Sequence, residues 1–88
     1  MRRRYLVSYD ISDAKRLRRV FKKMRGFGDP IHFSVFSCEL TKQERVAMIE
    51  ALSGVFHRAE DRIMVVDLGP ARRSPRQSIE FLGRALES

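Results

Sequence analysis

Asp10 is the residue of this sequence whose type and position best suit metal or catalytic chemistry. It closes an apolar, strand-like segment and is followed by Ser12, Asp13 and a strongly basic stretch. A carboxylate in that setting is a candidate ligand for a hard cation such as Mg²⁺, although an aspartate also suits an ordinary strand-to-helix turn. One carboxylate binds Mg²⁺ poorly, and Asp13 and Asp67 are the other candidates in the chain. A two-fold axis that brings Asp10 of a second copy to the same ion would complete the site.

The segment after Asp10 places positive charge on one predicted helix surface. Helical spacing predicts a buried stripe formed by Leu17, Val20, Phe21 and Met24. Seven cations lie on the opposite arc when about 100° is allowed per residue. The candidate contacts to nucleic-acid phosphates among them are Arg16, Arg18, Arg19 and Lys22.

The basic excess is local rather than general. The chain has 88 residues with 18 Lys plus Arg against 11 Asp plus Glu, which gives a formal charge of +7. Residues 1–28 alone contain ten basic and two acidic side chains. This asymmetry suits a polyanionic partner, most often nucleic acid, and a solvated, solubilising surface is the alternative.

Other catalytic patterns are missing from the sequence. It has no Gly-rich phosphate loop, no His or Cys pair at zinc spacing and no nucleophile elbow. The aromatic signature of the common RNA-recognition sandwich is also missing. We interpret His32 as an interface or hydrogen-bonded strand residue, His57 as a dipole partner at a helix end, and Cys38 as a small buried apolar residue.

Length and composition narrow the class of protein further. A chain of 88 residues predicts one domain, and so small a domain gains stability from a self-association surface. The single cysteine, Cys38, excludes an internal disulfide and favours a reducing, cytoplasmic location. The longest uninterrupted aliphatic run, Ile63–Val66, has four residues, far fewer than the roughly 20 that a membrane helix needs. We therefore expect no membrane partner.

The elements that position these residues alternate between strands and helices. A strand at residues 4–11 carries a core face formed by Tyr5, Val7, Tyr9 and Ile11. The first helix begins after a cap at Ser12 or Asp13. The next strand is predicted over Ile31–Leu40, with a bend or bulge near Ser34 because ten residues is long for a strand.

The second half of the chain continues the alternation. The capping box Thr41–Glu44 begins a helix that ends near His57. Its predicted buried side is Val46, Ile49, Leu52, Ser53 and Phe56, with Met48 and Val55 at the edge. Arg62–Leu68 is apolar on both faces and predicts a central strand. The last segment fits a strand at Ile79–Gly83 nearly as well as a helix at Ser78–Leu86. This order predicts an α+β sandwich with both helices on one sheet face.

Three motifs at this spacing resemble the CRISPR-associated protein-two family. They are Tyr9-Asp10-Ile11-Ser12-Asp13, then Arg18-Arg19-Val20, then Ser34-Val35-Phe36-Ser37-Cys38-Glu39-Leu40. The resemblance covers residues 5–83 and implies a ferredoxin-like βαββαβ sandwich that forms a homodimer. Residues 1–70 would be the ferredoxin-like domain, and residues 71–88 a linker and a short C-terminal strand. That strand, at Ile79–Gly83, would pair with the sheet of the partner protomer.

The resemblance also implies a function in CRISPR adaptation. Members bind nucleic acid, bridge integrase dimers for spacer acquisition, and are described as Mg²⁺-dependent endonucleases acting on single-stranded RNA or duplex DNA. The implied catalytic residue and metal ligand is Asp10, one from each protomer. Tyr9, Arg19 and Phe36 are implied to help phosphate binding or dimer packing, and from the sheet alternation we add Ser8 or Ser34 as candidates for orienting water. A toxin-type ribonuclease of the same fold, acting without an integrase, is the alternative.

The sequence departs from the family pattern at three places. Gly28-Asp29-Pro30 stands where members commonly have Gly-Glu-Arg, so a phosphate-facing arginine is missing there. Ser37 replaces a frequent acidic residue, and Leu17 stands where some relatives carry another arginine. These departures concern the predicted site rather than the predicted core.

Overall fold

The computed structural model describes residues 1–71 and 82–83, and it contains the predicted alternation of strands and helices. The elements are β1 (Arg3–Asp10), α1 (Ala14–Met24), β2 (Asp29–His32), β3 (Val35–Leu40), α2 (Lys42–Ser53) and β4 (Arg62–Pro70). The strands form one antiparallel sheet in the order β2-β3-β1-β4. This βαββαβ topology is the predicted ferredoxin-like α+β sandwich.

Both helices begin at side-chain caps that the sequence indicated. The Asp13 carboxylate accepts a hydrogen bond of 2.9 Å from the backbone N–H of Arg16 at the start of α1. At α2, Thr41 Oγ1 accepts from the Glu44 N–H, and the Glu44 carboxylate accepts from the Thr41 N–H. These bonds satisfy N–H groups that have no partner within the helix itself.

The core lies between one face of the sheet and the two helices. Its buried residues come from both helices and from alternate positions of β1 and β3, namely Tyr5, Val7, Tyr9, Ile11, Val20, Met24, Phe36, Cys38, Leu40, Met48 and Leu52. The predicted core face of β1 is confirmed. Since strand side chains alternate between faces, Leu6, Ser8 and Asp10 lie on the sheet face that neither helix covers.

The strand predicted over Ile31–Leu40, with a bend or bulge near Ser34, is divided at that point into the two strands of the β2–β3 hairpin, in agreement with the βαββαβ order. The chain reverses at Phe33 and Ser34, where the sequence carries no glycine or asparagine to mark a turn. Tyr9 stabilises the reversal from the neighbouring strand. Its backbone N–H donates to the Ser34 carbonyl at 3.0 Å, and its hydroxyl donates to the Phe33 carbonyl, also at 3.0 Å.

β4 was predicted to be a central strand, and in the described part of the chain it lies at the edge of the sheet. Its neighbour there is β1 alone. Met64 and Leu68 are each 53% exposed, so the second apolar face of β4 is not buried within one chain. The apolar pattern that indicated a central strand therefore belongs to an uncovered surface.

The predicted buried side of α2 was also partly wrong. Met48 lies fully in the core, while Val46 and Ile49 are 48% and 37% exposed. Leu52 is buried as predicted. Met48 and Leu52 lie one turn apart on the side of α2 that faces the core, so the predicted stripe was centred on the wrong side of the helix. Its last residue, Phe56, lies beyond the helix end at Ser53.

Gly28 follows α1 at a close approach between two backbone segments. A Cβ atom at this position would collide with the carbonyl oxygen of Ser37 and with Sγ of Cys38. Glycine is therefore required here for packing.

The predicted C-terminal strand at Ile79–Gly83 lies outside the described residues, apart from Leu82 and Gly83. The same holds for most of the predicted linker. In the ranges that are described, neither helix is long and apolar enough to cross a bilayer.

Candidate functional site

Asp10 is exposed at the end of β1. In the strand register it lies opposite Arg62 of β4, and its side chain makes no hydrogen bond or ion pair to any residue that the structure describes. Its two carboxylate oxygens are therefore available to a ligand. The predicted site residue lies on the bare face of the sheet, where the sequence alternation had placed it.

One chain does not provide a complete Mg²⁺ site around Asp10. Among the described residues, no three His, Cys, Asp or Glu side chains form a group that could hold a metal. Asp13 is engaged as the cap of α1, and Asp67 accepts hydrogen bonds from Arg3 and from the Gly69 N–H. Asp10 is thus the right type of donor for Mg²⁺, but the described residues of one chain place no group of further His, Cys, Asp or Glu ligands around it.

Asp61 is a buried carboxylate that joins the loop after Asp10 to the loop before β4. It accepts from the Ser12 N–H at 3.1 Å, from the His57 N–H at 2.7 Å and from Nε of Arg16 at 2.9 Å. Its side chain is fully shielded from solvent. This carboxylate holds the first residues beyond β1 in place, and therefore fixes the direction in which the chain leaves Asp10.

The environment of Asp61 keeps it ionised. The Arg16 guanidinium, followed by the backbone N–H groups of His57 and Ser12, holds the pKa of the Asp61 carboxyl well below its usual range, and burial opposes this effect only in part. Sequence reasoning missed Asp61 because its hydrogen-bond partner Arg16 lies 45 positions away. The only local signal was the acidic pair Glu60-Asp61 directly before a strand.

The predicted phosphate contacts on α1 divide into two groups. Arg18, Arg19 and Lys22 are exposed and make no ion pair within the described residues. Arg16 is held in the protein by Asp61 and by an ion pair of 2.9 Å between its guanidinium and the Glu60 carboxylate. Arg18, Arg19 and Lys22 can therefore turn towards a polyanion, whereas Arg16 already has anionic partners.

Tyr9 and Phe36 lie in the core next to the candidate site. Their rings are 6.2 Å apart at 30°, and Phe21 meets Phe36 edge-on at 5.3 Å. Burial raises the pKa of Tyr9 to about 12, so its hydroxyl stays protonated and donates to the hairpin turn. Ser34 lies in that turn, where its carbonyl accepts from Tyr9. Both aromatic residues act on the site through packing.

The two histidines and the cysteine do not form a reactive group. His32 is exposed and packs edge-on against Phe33, with the ring centres 5.7 Å apart. His57 lies beyond the end of α2, so its predicted role as a partner of that helix dipole was wrong; its Nδ1 accepts from the Ala59 N–H at 3.3 Å. Cys38 is buried as predicted, and burial, followed by the Asp29 charge, raises the pKa of its thiol to about 11. It stays a protonated thiol near neutral pH.

The structure thus defines the class of the protein: it is a ferredoxin-like α+β sandwich with an exposed carboxylate at the end of β1 and a basic first helix. Residues 1–74 match the family model described as CRISPR associated protein Cas2. The chain is 43% identical over 84 residues to the CRISPR-associated endoribonuclease Cas2 1 of Rhodospirillum rubrum, covering 96% of this chain and 81% of that protein. It is 37% identical to the CRISPR-associated endoribonuclease Cas2 of Geobacter sulfurreducens, covering 94% and 86%.

Solved structures agree with this relationship. The crystal structure of Streptococcus pyogenes Cas2 at pH 6.5 is 28% identical and superposes with a TM-score of 0.77, covering 91% of this chain and 99% of that one. A hypothetical protein TT1823 from Thermus thermophilus, 22% identical, shares the fold with a TM-score of 0.80 over 99% and 98%. The chain belongs to the CRISPR-associated Cas2 family, as the sequence resemblance indicated.

Proposed function

We propose that the chain acts as a homodimer formed through the sheet face that the helices leave bare. This face carries apolar side chains that are at least partly exposed in one chain, among them Leu6, Val35, Met64, Val66 and Leu68. A second copy would cover them and extend the small hydrophobic core of an 88-residue protein. A two-fold axis lying in the plane between the two packed faces would make each copy present the same residues to the other.

The dimer we propose has one functional consequence, which concerns Asp10. This residue lies on the bare face and has no partner among the described residues, so two copies would contribute one carboxylate each to a shared Mg²⁺ site. Bound Mg²⁺ would polarise a phosphoryl oxygen and lower the pKa of a coordinated water. The residues of the chain would hold the substrate, with Arg19 offsetting negative charge on the phosphate.

The substrate we propose is nucleic acid, bound first through its phosphates. Arg18, Arg19 and Lys22 form an exposed basic surface on α1. Contacts from such a surface to phosphates do not depend on the base sequence of the nucleic acid. The relatives from Rhodospirillum rubrum and Geobacter sulfurreducens are named endoribonucleases, which supports phosphodiester hydrolysis of RNA as the reaction. Duplex DNA carries the same phosphate chemistry and is the second substrate we consider.

The observation that carries this proposal is the exposed carboxylate of Asp10, which ends β1 shortly before the basic helix α1 in the chain and has no partner among the described residues. The test is cleavage of RNA and duplex DNA with and without Mg²⁺, comparing the wild type with Asp10→Asn. We expect the variant to lose Mg²⁺-dependent cleavage and to sediment as the wild type does. Glu50→Gln, an exposed acid on α2, is the matched control and should cleave normally. Undiminished cleavage by Asp10→Asn would contradict the proposal.

A second, architectural role is also supported by the separation of the two features. The α1 cations can bind duplex DNA without Asp10, so the dimer could bridge integrase dimers in CRISPR spacer acquisition without cutting. Spacer insertion measured in cells that carry Asp10→Asn separates the two roles. Insertion that survives the loss of cleavage would favour the bridge, and insertion lost together with cleavage would favour the nuclease. Membership of the Cas2 family favours either role over a toxin-type ribonuclease.

A further inference from the structure

A groove of about 740 Å³ lies between α1 and the β2–β3 turn. Its lining combines four cations of α1, Lys15, Arg18, Arg19 and Lys22, with the aromatic rings of Phe21 and Phe33. Binding sites for small molecules and nucleotides commonly measure about 300–1,000 Å³. The groove is therefore large enough for one nucleotide, and its lining is both cationic and apolar.

Phe33 is the unusual residue of this groove. It sits in the hairpin turn and is 72% exposed, so the core does not require it. His32 contacts the Phe33 ring at an interplanar angle of 77°, and the two hydrogen bonds from Tyr9 hold the turn itself. An exposed ring on a fixed turn is a suitable platform for base stacking.

The combination selects one kind of ligand. A simple anion would satisfy the cations but leave Phe33 exposed, and an apolar peptide would cover Phe33 but leave the cations without partners. A nucleotide with an unpaired base satisfies both, since its phosphate is anionic and its base has a flat apolar face. In a duplex the bases are stacked inside the helix and do not reach an external ring.

We propose that this groove binds single-stranded nucleic acid, with one unpaired base stacked on Phe33 and the adjacent phosphates on the α1 cations. The proposal rests on the nucleic-acid binding proposed above and adds a preference for an unpaired strand. It also assigns a role to Phe33, which lies outside the residues singled out by the sequence motifs. Because Tyr9 holds the Phe33 turn and directly precedes Asp10, a base held there would have a fixed position relative to the Asp10 carboxylate.

The first test uses the absence of tryptophan from the sequence. Phe33→Trp introduces a single indole at the groove, and a stacked base should quench its fluorescence. A short single-stranded RNA and the DNA strand of the same sequence are titrated separately, so that the two arms show which backbone the groove prefers. The control for the position of the indole is Val46→Trp, at an exposed position of α2. The control for the ligand is inorganic pyrophosphate, an anion that has no base to stack. We expect quenching by single strands in Phe33→Trp only, and none by pyrophosphate.

The second test measures affinity. Phe33→Ala should weaken single-strand binding about ten-fold, the usual effect of removing one stacked aromatic residue, and leave duplex binding unchanged. Phe33→Tyr keeps the ring and should bind as the wild type does. Lys22→Ala should weaken binding of both single strands and duplexes, because it removes a phosphate contact.

The outcomes distinguish this inference from the function on which it rests. Normal single-strand affinity in Phe33→Ala, with weakened binding in Lys22→Ala, would overturn the stacking site and leave the proposed function standing. Absence of any nucleic-acid binding by the wild type would overturn both. A change in Phe33→Trp fluorescence with protein concentration alone would show that a second copy covers the ring, and would also overturn the stacking site.

Discussion

Asp61 links three segments that are distant in the sequence through one carboxylate. Its carboxylate oxygens accept hydrogen bonds from the N–H groups of Ser12 and His57 and from the Arg16 guanidinium. A buried carboxylate is tolerated when charged and hydrogen-bonded partners surround it in this way. At the scale of single residues, the path of the chain just after Asp10 thus depends on a carboxylate that is itself buried.

The first prediction concerns the pH dependence that Asp61 gives to stability. Its pKa is lower in the folded protein than in the unfolded chain, where a value of about 4 is normal. The ionised carboxylate therefore stabilises the fold above about pH 4, and this contribution is lost as the pH falls further towards the folded-state pKa. The side chain that Asp61→Asn introduces cannot ionise. The wild type should therefore have a higher free energy of unfolding than this variant at pH 7, and the difference between the two proteins should be smaller at pH 3.

Chemical denaturation of both proteins across this pH range measures the effect. Glu50→Gln provides the control, since this exposed side chain should give the same difference from the wild type at every pH. If the difference in free energy of unfolding between the wild type and Asp61→Asn is as large at pH 3 as at pH 7, the pH dependence does not come from ionisation of Asp61.

The second prediction at this scale concerns Gly28. An added Cβ atom would collide with backbone and side-chain atoms of β3, so Gly28→Ala should lower the free energy of unfolding by about 1–3 kcal/mol, as overpacking usually does. Gly54→Ala is the matched control, because the new methyl would meet its nearest neighbour at an ordinary 3.7 Å. Thermal denaturation of the two variants measures the difference, and equal stability would show that β3 shifts without cost.

The helices and strands differ in how far their sequence predicts them. The caps at Asp13 and Thr41 and the alternation in β1 are local patterns, and all three were predictable. The β2–β3 turn was predicted only as a bend or bulge near Ser34, because the sequence has no glycine or asparagine there and the bonds that hold the reversal come from Tyr9 in another strand. The position of Arg16 between Asp61 and Glu60 likewise depends on long-range contacts.

The prediction at the scale of elements compares two cations of α1. Lys22 is exposed and free to bind phosphate, so Lys22→Ala should weaken duplex binding and reduce the slope of log affinity against log salt concentration by about 1. Arg16 has protein partners instead, so Arg16→Gln should lower the melting temperature and leave that slope unchanged. Binding isotherms at several salt concentrations, together with thermal melts, separate the two effects. A smaller slope in Arg16→Gln would show that this arginine also reaches the nucleic acid.

At the scale of the whole molecule, one face of the sheet is covered by helices and the other is not. The apolar positions of β4 that predicted a central strand, such as Met64 and Leu68, lie on or near that uncovered side. The sequence therefore contained a signal for burial that the described residues of one chain do not satisfy. The pattern at Asp10 likewise indicated a metal ligand, while the described residues of one chain form no group of three ligands that could hold a metal.

The prediction at this scale is a change of oligomeric state. Met64→Glu places a charge on the bare face at a position that is 53% exposed in one chain, so each copy should still fold. We expect the variant to sediment as a monomer and to lose Mg²⁺-dependent cleavage, because paired Asp10 side chains would no longer meet. Circular dichroism checks that the fold is retained, and Val46→Glu on α2 is the control. A Met64→Glu dimer with full cleavage would place the interface elsewhere.

Cys38 has a practical consequence for measuring such assemblies. It is the only cysteine of the chain, it is fully buried, and its thiol pKa is about 11. Maleimide reagents should therefore leave the native protein unlabelled at neutral pH. A cysteine introduced at exposed Gln43 would become a single attachment point for a spin label or a dye. In a symmetric pair the two labels would report one inter-label distance, without any need to remove a native thiol.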